Sequence, residues 1–413
     1  MFRIRLLTLI QGFILVLSIT ACSKNITFDV DEDSPISVAL ITRAKQISDI
    51  SWIPRGDFVT NKGTLLPGET VRGIPYSSVK ELEKFVGQYV SFYTFMTAVN
   101  NPKSVLYTEN VKNPPYHGTN CSSYYGTVCS MAVNYVLGLP YSYPTTSYKN
   151  LDCFYLVSPQ DIDAAEPGDI LLQDGKHVVL ILDLIDNRSG VKKINILESS
   201  AGSGTRVDSY TRRDLLSRWE RDGWELLRYR DLDKLPEVDA MVFNDYPYDT
   251  PFNSPMCCSR GDRATFREGE DIVLNNLDGK LHTMNLVRDN QVIESVTSDR
   301  ADVIISDLSP GIYTFDLSTS EWNNPSVEVL ETTVSIERQE DELTVYFSSY
   351  NGKPMSVMIS PISGNRYLVQ PITEEERNAG KASVKIPARS GQMYLRVMFE
   401  GQYGSVTNEP IAL

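Results

Sequence analysis

Hydrophobic and polar positions change their spacing several times along the chain, and each change predicts a different element. Residues 6–19 form an apolar run behind Arg3 and Arg5, and residues 23–37 are polar and acidic. The stretch 80–99, KELEKFVGQYVSFYTFMTAV, reads as a helix. Ser77 or Ser78 is placed as its cap, with Glu81 at capping-box spacing and Asn100-Asn101-Pro102 as its stop. Residues 125–140, YGTVCSMAVNYVLGLP, predict a second helix. Ala132, Val133, Val136 and Leu137 follow Cys129 at i+3, i+4, i+7 and i+8, and Gly138 and Pro140 end the pattern.

Further on, the spacing turns to that of strands. Glu166-Pro167-Gly168-Asp169 is a turn into Ile170-Leu171-Leu172, and HVVLILDLI (177–185) is apolar enough to be a strand buried on both faces. Residues 186–190 are turn material, 192–200 the next strand and 202–205 the next turn. A helix at 212–221 and a strand at 224–230 follow. Helices first and antiparallel strands after them predict an α+β unit. From 236 the texture is all-β, with short strands at regular intervals to the end of the chain. Leu308-Ser309-Pro310-Gly311-Ile312-Tyr313 resembles the turn and tyrosine that enter a late strand of immunoglobulin or fibronectin type III folds. The expectation is two sandwiches, 236–337 and 338–413.

Charge and the N-terminus bear on location. The formal charge is −14, and −16 once Arg3 and Arg5 are discounted. Such a balance speaks against nucleic acid or anionic lipid as a general partner. The basic start and the apolar run have the layout of a secretory signal. Ile19-Thr20-Ala21-Cys22 resembles the bacterial lipobox, which implies a signal peptide of residues 1–21 and a lipid on Cys22. Residues 22–37 are then an acidic tether, and the expected product is an envelope lipoprotein held to a membrane by its N-terminal lipid. Ser23 in place of aspartate points to the outer membrane.

The chemistry gathers around Cys129. A cysteine in the first turn of a helix faces free backbone N–H groups and the positive end of the macrodipole, a setting that favours thiolate. His177 opens a strand just after Gly175-Lys176, a placement that suits a general base. With 186–190 as the turn, His177 falls opposite Glu198 or Ser199. Glu198 ends an apolar strand, where a carboxylate needs a partner. A carboxylate beside imidazole fixes its tautomer, the third role in a Cys-His-acid triad. Cys121 is a rival nucleophile without a helical stripe behind it, and His117 precedes the same loop. Cys121, Cys153, Cys257 and Cys258 would suffice for up to two disulfides. No spacing supports a metal site, and no cofactor is expected.

Cys129-Ser130, Pro167-Gly168-Asp169, His177 and Leu197-Glu198-Ser199-Ser200-Ala201-Gly202, in that order, resemble the papain-like superfamily of cell-wall hydrolases. The pattern is similar to the NlpC-type peptidases, with CHAP amidohydrolases as relatives, and Gly73-Ile74-Pro75-Tyr76 is a weaker upstream echo. The resemblance covers about 125–207 and implies a papain-like catalytic domain, 38–235, with an N-terminal helical extension. It further implies a Cys129-His177-Glu198 triad that cleaves amide bonds of peptidoglycan stem peptides in a monomeric enzyme. Tyr125, Val128, Ser130 and Met131 are the expected substrate contacts. Val128 and Met131 stand where the family commonly has aspartate and glycine, and glutamate as third residue is CHAP-like rather than the commoner histidine. Substrate identity therefore stays open. A non-catalytic, adhesin-like surface lipoprotein, and a thiol hydrolase of lipid or acyl substrates, are the competing expectations.

Overall fold

The computed structural model describes residues 26, 28, 35–60, 63–76, 92–108, 125–139, 143–159, 161–187, 190–201, 203–219, 223–235, 254–318, 324–330, 335–339, 341–347, 354–361, 368–385, 392–399, 406–407 and 411–412. The lipobox with Cys22 and the loop with His117 and Cys121 lie outside them, as does the expected helix up to Phe92.

Among the described residues, four helices of eight residues or more frame the first part, besides a single turn at Val105–Thr108: α1 (Pro35–Asp49), α2 (Phe92–Asn100), α3 (Cys129–Val136) and α4 (Arg212–Trp219). Helix α1 begins inside the expected tether. Its reason is a short stripe, since Leu40, Ile41, Ala44 and Ile47 recur at helical spacing and are all buried. Helix α3 stops as its sequence predicts: Gly138, just past the end, takes the left-handed conformation (φ +63°) that glycine adopts without strain.

Six strands form one antiparallel sheet: β1 (Phe154–Pro159), β2 (Ile170–Gln173), β3 (His177–Asn187), β4 (Gly190–Ser200), β5 (Gly204–Thr211) and β6 (Glu225–Tyr229). Their order is β1-β6-β2-β3-β4-β5. Both faces are covered, which is why β3 reads as a continuous apolar run. Leu172, Val178, Leu180, Leu182 and Leu197 pack with residues of α1, α2 and α3. Leu171, Val179, Ile181, Ile194 and Ile196 pack on the other side with Leu215 of α4 and Trp224. Each such side chain contributes about 1.5–3 kcal/mol on burial.

The β3–β4 hairpin departs from the expected register. Both strands are longer than predicted, closing at Asn187↔Gly190, and bulges interrupt the ladder between Ile181 and Asp183 and between Ile185 and Asp186. The pairs nearest the site are Ile181↔Ile196 and Leu180↔Leu197. Continued, that register sets Val179 opposite Glu198, so His177 is a diagonal neighbour of Glu198, two residues along, rather than its direct partner. Diagonal residues share a face and remain within reach of long side chains.

From Ser254 the described chain is β-sheet apart from a short helix. A three-stranded sheet (Met256–Cys258, Ile272–Asn276, Asp302–Ile305) faces a five-stranded one (Ala264–Arg267, Ser326–Leu330, Gly311–Asp316, His282–Arg288, Gln291–Ser298). Tyr313 sends its hydroxyl back to the Ser309 carbonyl, 2.6 Å away, as a tyrosine corner does. A second pair of sheets starts at Ser335, since Ser335–Gln339 pairs with Glu342–Tyr346 across the boundary expected at 338. That second unit has its own core, including Leu343, Val345, Val357, Ile359, Leu395 and Val397.

The first two-sheet unit has no separate core. Its buried residues are continuous with those of α1, α2 and α3. Asn101, just past α2, donates to the Cys258 carbonyl (3.3 Å) and to Asn275 Oδ1 (2.9 Å). The Asp262 N–H donates to Thr97 Oγ1 at 2.8 Å, and Val105 N–H to the Ser259 carbonyl at 2.9 Å. Gly261 lies so close to α2 that a Cβ there would sit 2.3 Å from the Thr94 carbonyl, with φ at +92°. Gly261→Ala is accordingly expected to destabilise the whole α+β part by more than about 1 kcal/mol. Urea unfolding followed by tryptophan fluorescence reads this, because Trp52 lies in the shared core. An unchanged midpoint would mean that the unit is loosely attached.

Candidate active site

Cys129 is the first residue of α3, preceded by Val128 in an extended conformation (φ −102°, ψ 171°). No side chain caps this end of the helix. The approach to the cysteine is fixed from three directions. Thr127 donates its N–H to the Pro75 carbonyl at 2.9 Å, and its own carbonyl accepts Ser199 Oγ at 3.1 Å. Ile74 accepts the Thr205 N–H, also at 2.9 Å. A Cβ on Gly73, at φ +80°, would fall 2.2 Å from the Thr205 carbonyl, so only glycine lets the 73–76 segment lie against β5. Tyr125 is wholly buried and donates its hydroxyl to the Arg260 carbonyl of the first two-sheet unit at 2.6 Å.

The far end of α3 is held as well. Buried Arg43 of α1 donates Nε to the Val136 carbonyl at 2.9 Å and Nη2 to that of Tyr135. A cation there satisfies orphan carbonyls and matches the negative end of the dipole. The single hydroxyl hydrogen of Tyr148 is shared between Asn134 Oδ1 (2.6 Å) and the Ser130 carbonyl (3.1 Å). Burial pushes its phenol far up, with the nearby Cys129 and Cys153 adding to the shift, so it stays protonated.

His177 has two partners. Its Nε2 lies 3.0 Å from Glu198 Oε1, and the Cys129 side chain also acts on the imidazole, favouring its charged form. The His177 side chain is 22% exposed and Glu198 is not exposed at all. Burial disfavours the imidazolium, but hydrogen bonds and charge from Cys129 and Glu198 outweigh it and raise His177 from 6.5 to about 9. Two arginines complete the cluster. Arg206 Nη2 donates to Glu198 Oε2 at 2.8 Å; Arg218 donates Nη2 to Oε1 at 2.5 Å and Nη1 to Oε2 at 3.2 Å. Burial would push the Glu198 carboxyl up, yet His177, Arg218 and Arg206 together hold it below the usual carboxylate range.

Cys129, His177 and Glu198 are thus brought together. The expected substrate contacts fare differently. Tyr125 has no exposed surface and donates its hydroxyl to the Arg260 carbonyl, so it anchors the loop. Val128 and Ser130 are buried, and only Met131 of the four keeps a part-exposed side chain. Cys153, Cys257 and Cys258 are free thiols, so no disulfide joins them. Burial raises all three, Cys258 to about 12, which leaves them protonated at neutral pH. His282 bonds Asp278 at 2.8 Å, on a strand of the first two-sheet unit. Among the described residues no helix is long and apolar enough to cross a membrane.

Sequence reasoning missed Arg206 and Arg218. Arg206 was within reach: the second hairpin pairs Ser200↔Gly204, and counting back gives Glu198↔Arg206. Arg218 arrives on α4 from outside the hairpins and has no local signal.

No protein-family model matches this chain, and no curated protein does. Among solved structures, a two-domain fibronectin type III segment of chicken tenascin is 12% identical, with a TM-score of 0.21, over 35% of this chain and 91% of its own. The fibronectin(III)-like modules of Clostridium thermocellum CbhA are 14% identical, with a TM-score of 0.19, over 37% and 90%. At such scores these likenesses carry no argument, and the β architecture rests on its strand pairing.

A histidine raised above its unfolded-state value stabilises the fold fully below that value, and the contribution is lost as the pH climbs through the folded one. The stability difference between the wild type and His177→Gln should therefore be largest below pH 6.5 and shrink towards pH 9. Urea unfolding across that range checks it; a difference that grows with pH contradicts the arrangement. Tyr125→Phe removes one buried hydrogen bond and leaves the Arg260 carbonyl without it, a loss of about 1–3 kcal/mol in the same measurement.

Proposed function

We propose that this chain is a cysteine peptidase or amidase that cleaves amide bonds of peptidoglycan stem peptides with a Cys129-His177-Glu198 triad. The observation that carries this reading is the 3.0 Å bond of His177 to buried Glu198, with the Cys129 side chain acting on the same imidazole. The resemblance of the surrounding motifs to the NlpC-type papain-like hydrolases agrees with it and supplies the substrate class.

In the acylation step the Cys129 thiol passes its proton to His177, the sulfur forms a bond to the amide carbon, and the carbonyl oxygen takes the negative charge. Backbone N–H groups at the start of α3, uncapped by any side chain, are the donors nearest that oxygen's expected position. His177 protonates the amide nitrogen as the C–N bond breaks, and the amine leaves. Water then gives a proton to His177 and adds to the thioester, and the C–S bond breaks to return the thiolate beside the protonated imidazole. Glu198 keeps Nε2 engaged, so that Nδ1 stays turned to sulfur. The proposed lipid on Cys22 would hold the enzyme at the outer membrane, beside its polymer.

Purified muropeptides incubated with the wild type and with Cys129→Ala test the proposal. The wild type should release stem-peptide fragments detectable by mass spectrometry, and the variant should lose at least about 10³-fold of the rate. Equal turnover by both proteins, or none by the wild type, refutes it.

A further inference from the structure

Glu198 carries more partners than a triad needs. Oε1 receives His177 Nε2 and Arg218 Nη2, while Oε2 receives Arg206 Nη2 and Arg218 Nη1. That fills the four acceptor positions of a carboxylate. The arginines come from two elements. Arg206 is the direct cross-strand partner of Glu198 on β5, and its Nε is bound to Asp208 Oδ2. Arg218 rises from α4 and donates from Nη1 to the Tyr210 hydroxyl (2.5 Å), which donates in turn to Asp208 Oδ2 (3.3 Å). Two acids and two guanidiniums therefore stand behind the imidazole with a formal charge of zero.

We propose, on the hydrolase reading above, that Arg206 and Arg218 are positioning residues that lock Glu198 against His177 and cancel its charge. The imidazole then faces a neutral, rigid cluster in place of a bare carboxylate. The charged and titratable groups around His177 are Cys129 on α3, Glu198 on β4, Arg206, Asp208 and Tyr210 on β5, and Arg218 on α4. Tyr148 stands behind the thiol, Gln173 pairs with His177 across β2, and Asp174 and Lys176 lie exposed in the adjoining turn. A bare carboxylate would stabilise the imidazolium more strongly, and its proton would be harder to give to a leaving amine. Balancing it lowers that barrier to transfer while the fork of guanidinium donors keeps the geometry.

Charge balance gives the single substitutions opposite signs. Glu198→Gln leaves an excess positive charge beside the imidazole, so His177 sheds its proton at lower pH. Arg218→Gln leaves an excess negative charge, so the proton is kept to higher pH. Asp208→Asn, at the part-exposed edge of the cluster, acts in the direction of Glu198→Gln but more weakly.

The experiment is the pH dependence of iodoacetamide alkylation at Cys129 in the full chain, resolved by peptide mapping between pH 5 and 10. The upper inflection reports the imidazolium. It should fall in Glu198→Gln and rise in Arg218→Gln, each by on the order of one pH unit, and return close to the wild-type position in the double variant. Arg218→Lys should keep the wild-type inflection and lower the rate, because the charge stays and the fork is lost. If Arg218→Gln does not fold, a downward shift in Asp208→Asn supports the balance. An unmoved or reversed inflection in either Arg218→Gln or Asp208→Asn overturns the proposal. A wild-type profile without an upper inflection, or one that survives in His177→Gln, overturns instead the hydrolase reading on which it rests.

Discussion

A carboxylate with no exposed surface must be matched by charge and hydrogen bonds, or it destabilises the fold by several kcal/mol. Glu198 is such a group, and the way it is satisfied ties together β3, β4, β5 and α4. Removing any one partner exposes the others to an uncompensated buried charge. The constraint therefore acts on the end of the sheet where His177 begins, and it engages Nε2 of the imidazole. Without that cluster, His177 would be a part-exposed strand-end histidine and Cys129 one more buried thiol.

The nucleophile is fixed with comparable care from the opposite side. Helix α3 is short, so its start can be placed only by what surrounds it. The Pro75 carbonyl and the Ser199 hydroxyl hold Thr127, Arg260 holds Tyr125, and Arg43 closes the helix's last turn. Two of these supports come from parts of the chain far from the motifs that carry Cys129, His177 and Glu198. The first two-sheet unit shares its core with α1 and α2 and bonds Tyr125, only four residues before Cys129. It is thus a structural part of the site rather than a module on a string, whereas the second unit, with its own core, has the independence expected of a separate domain.

Much of this was legible in the chain. The stripe after Cys129, the apolar run of β3 and the recurring short strands each gave the right element, because local periodicity follows directly from which faces are buried. The partnership of His177 and Glu198 was readable too, although for a reason that needs amending. The hairpin closes at Asn187↔Gly190, the two bulges cancel, and in the resulting register the two residues meet diagonally. Helix α1 was hidden by a brief stripe beside an acidic stretch. The role of Tyr125 could not be read, because an aromatic residue beside a nucleophile looks the same whether it faces a substrate or a neighbouring sheet. Arg218 was beyond reach for a related reason: the docking of α4 on the sheet is tertiary, and nothing in the helix's own pattern names its partner.

On the proposed hydrolase reading, Cys129 and His177 act as one unit. Its most direct measurement is the rate of iodoacetamide labelling of each cysteine at pH 7, resolved by peptide mapping, in the wild type and in His177→Gln. Cys129 should react at least about tenfold faster than buried Cys257 and Cys258, and lose most of that advantage when the histidine is replaced. Labelling of Cys129 at the same rate in both proteins would contradict the account.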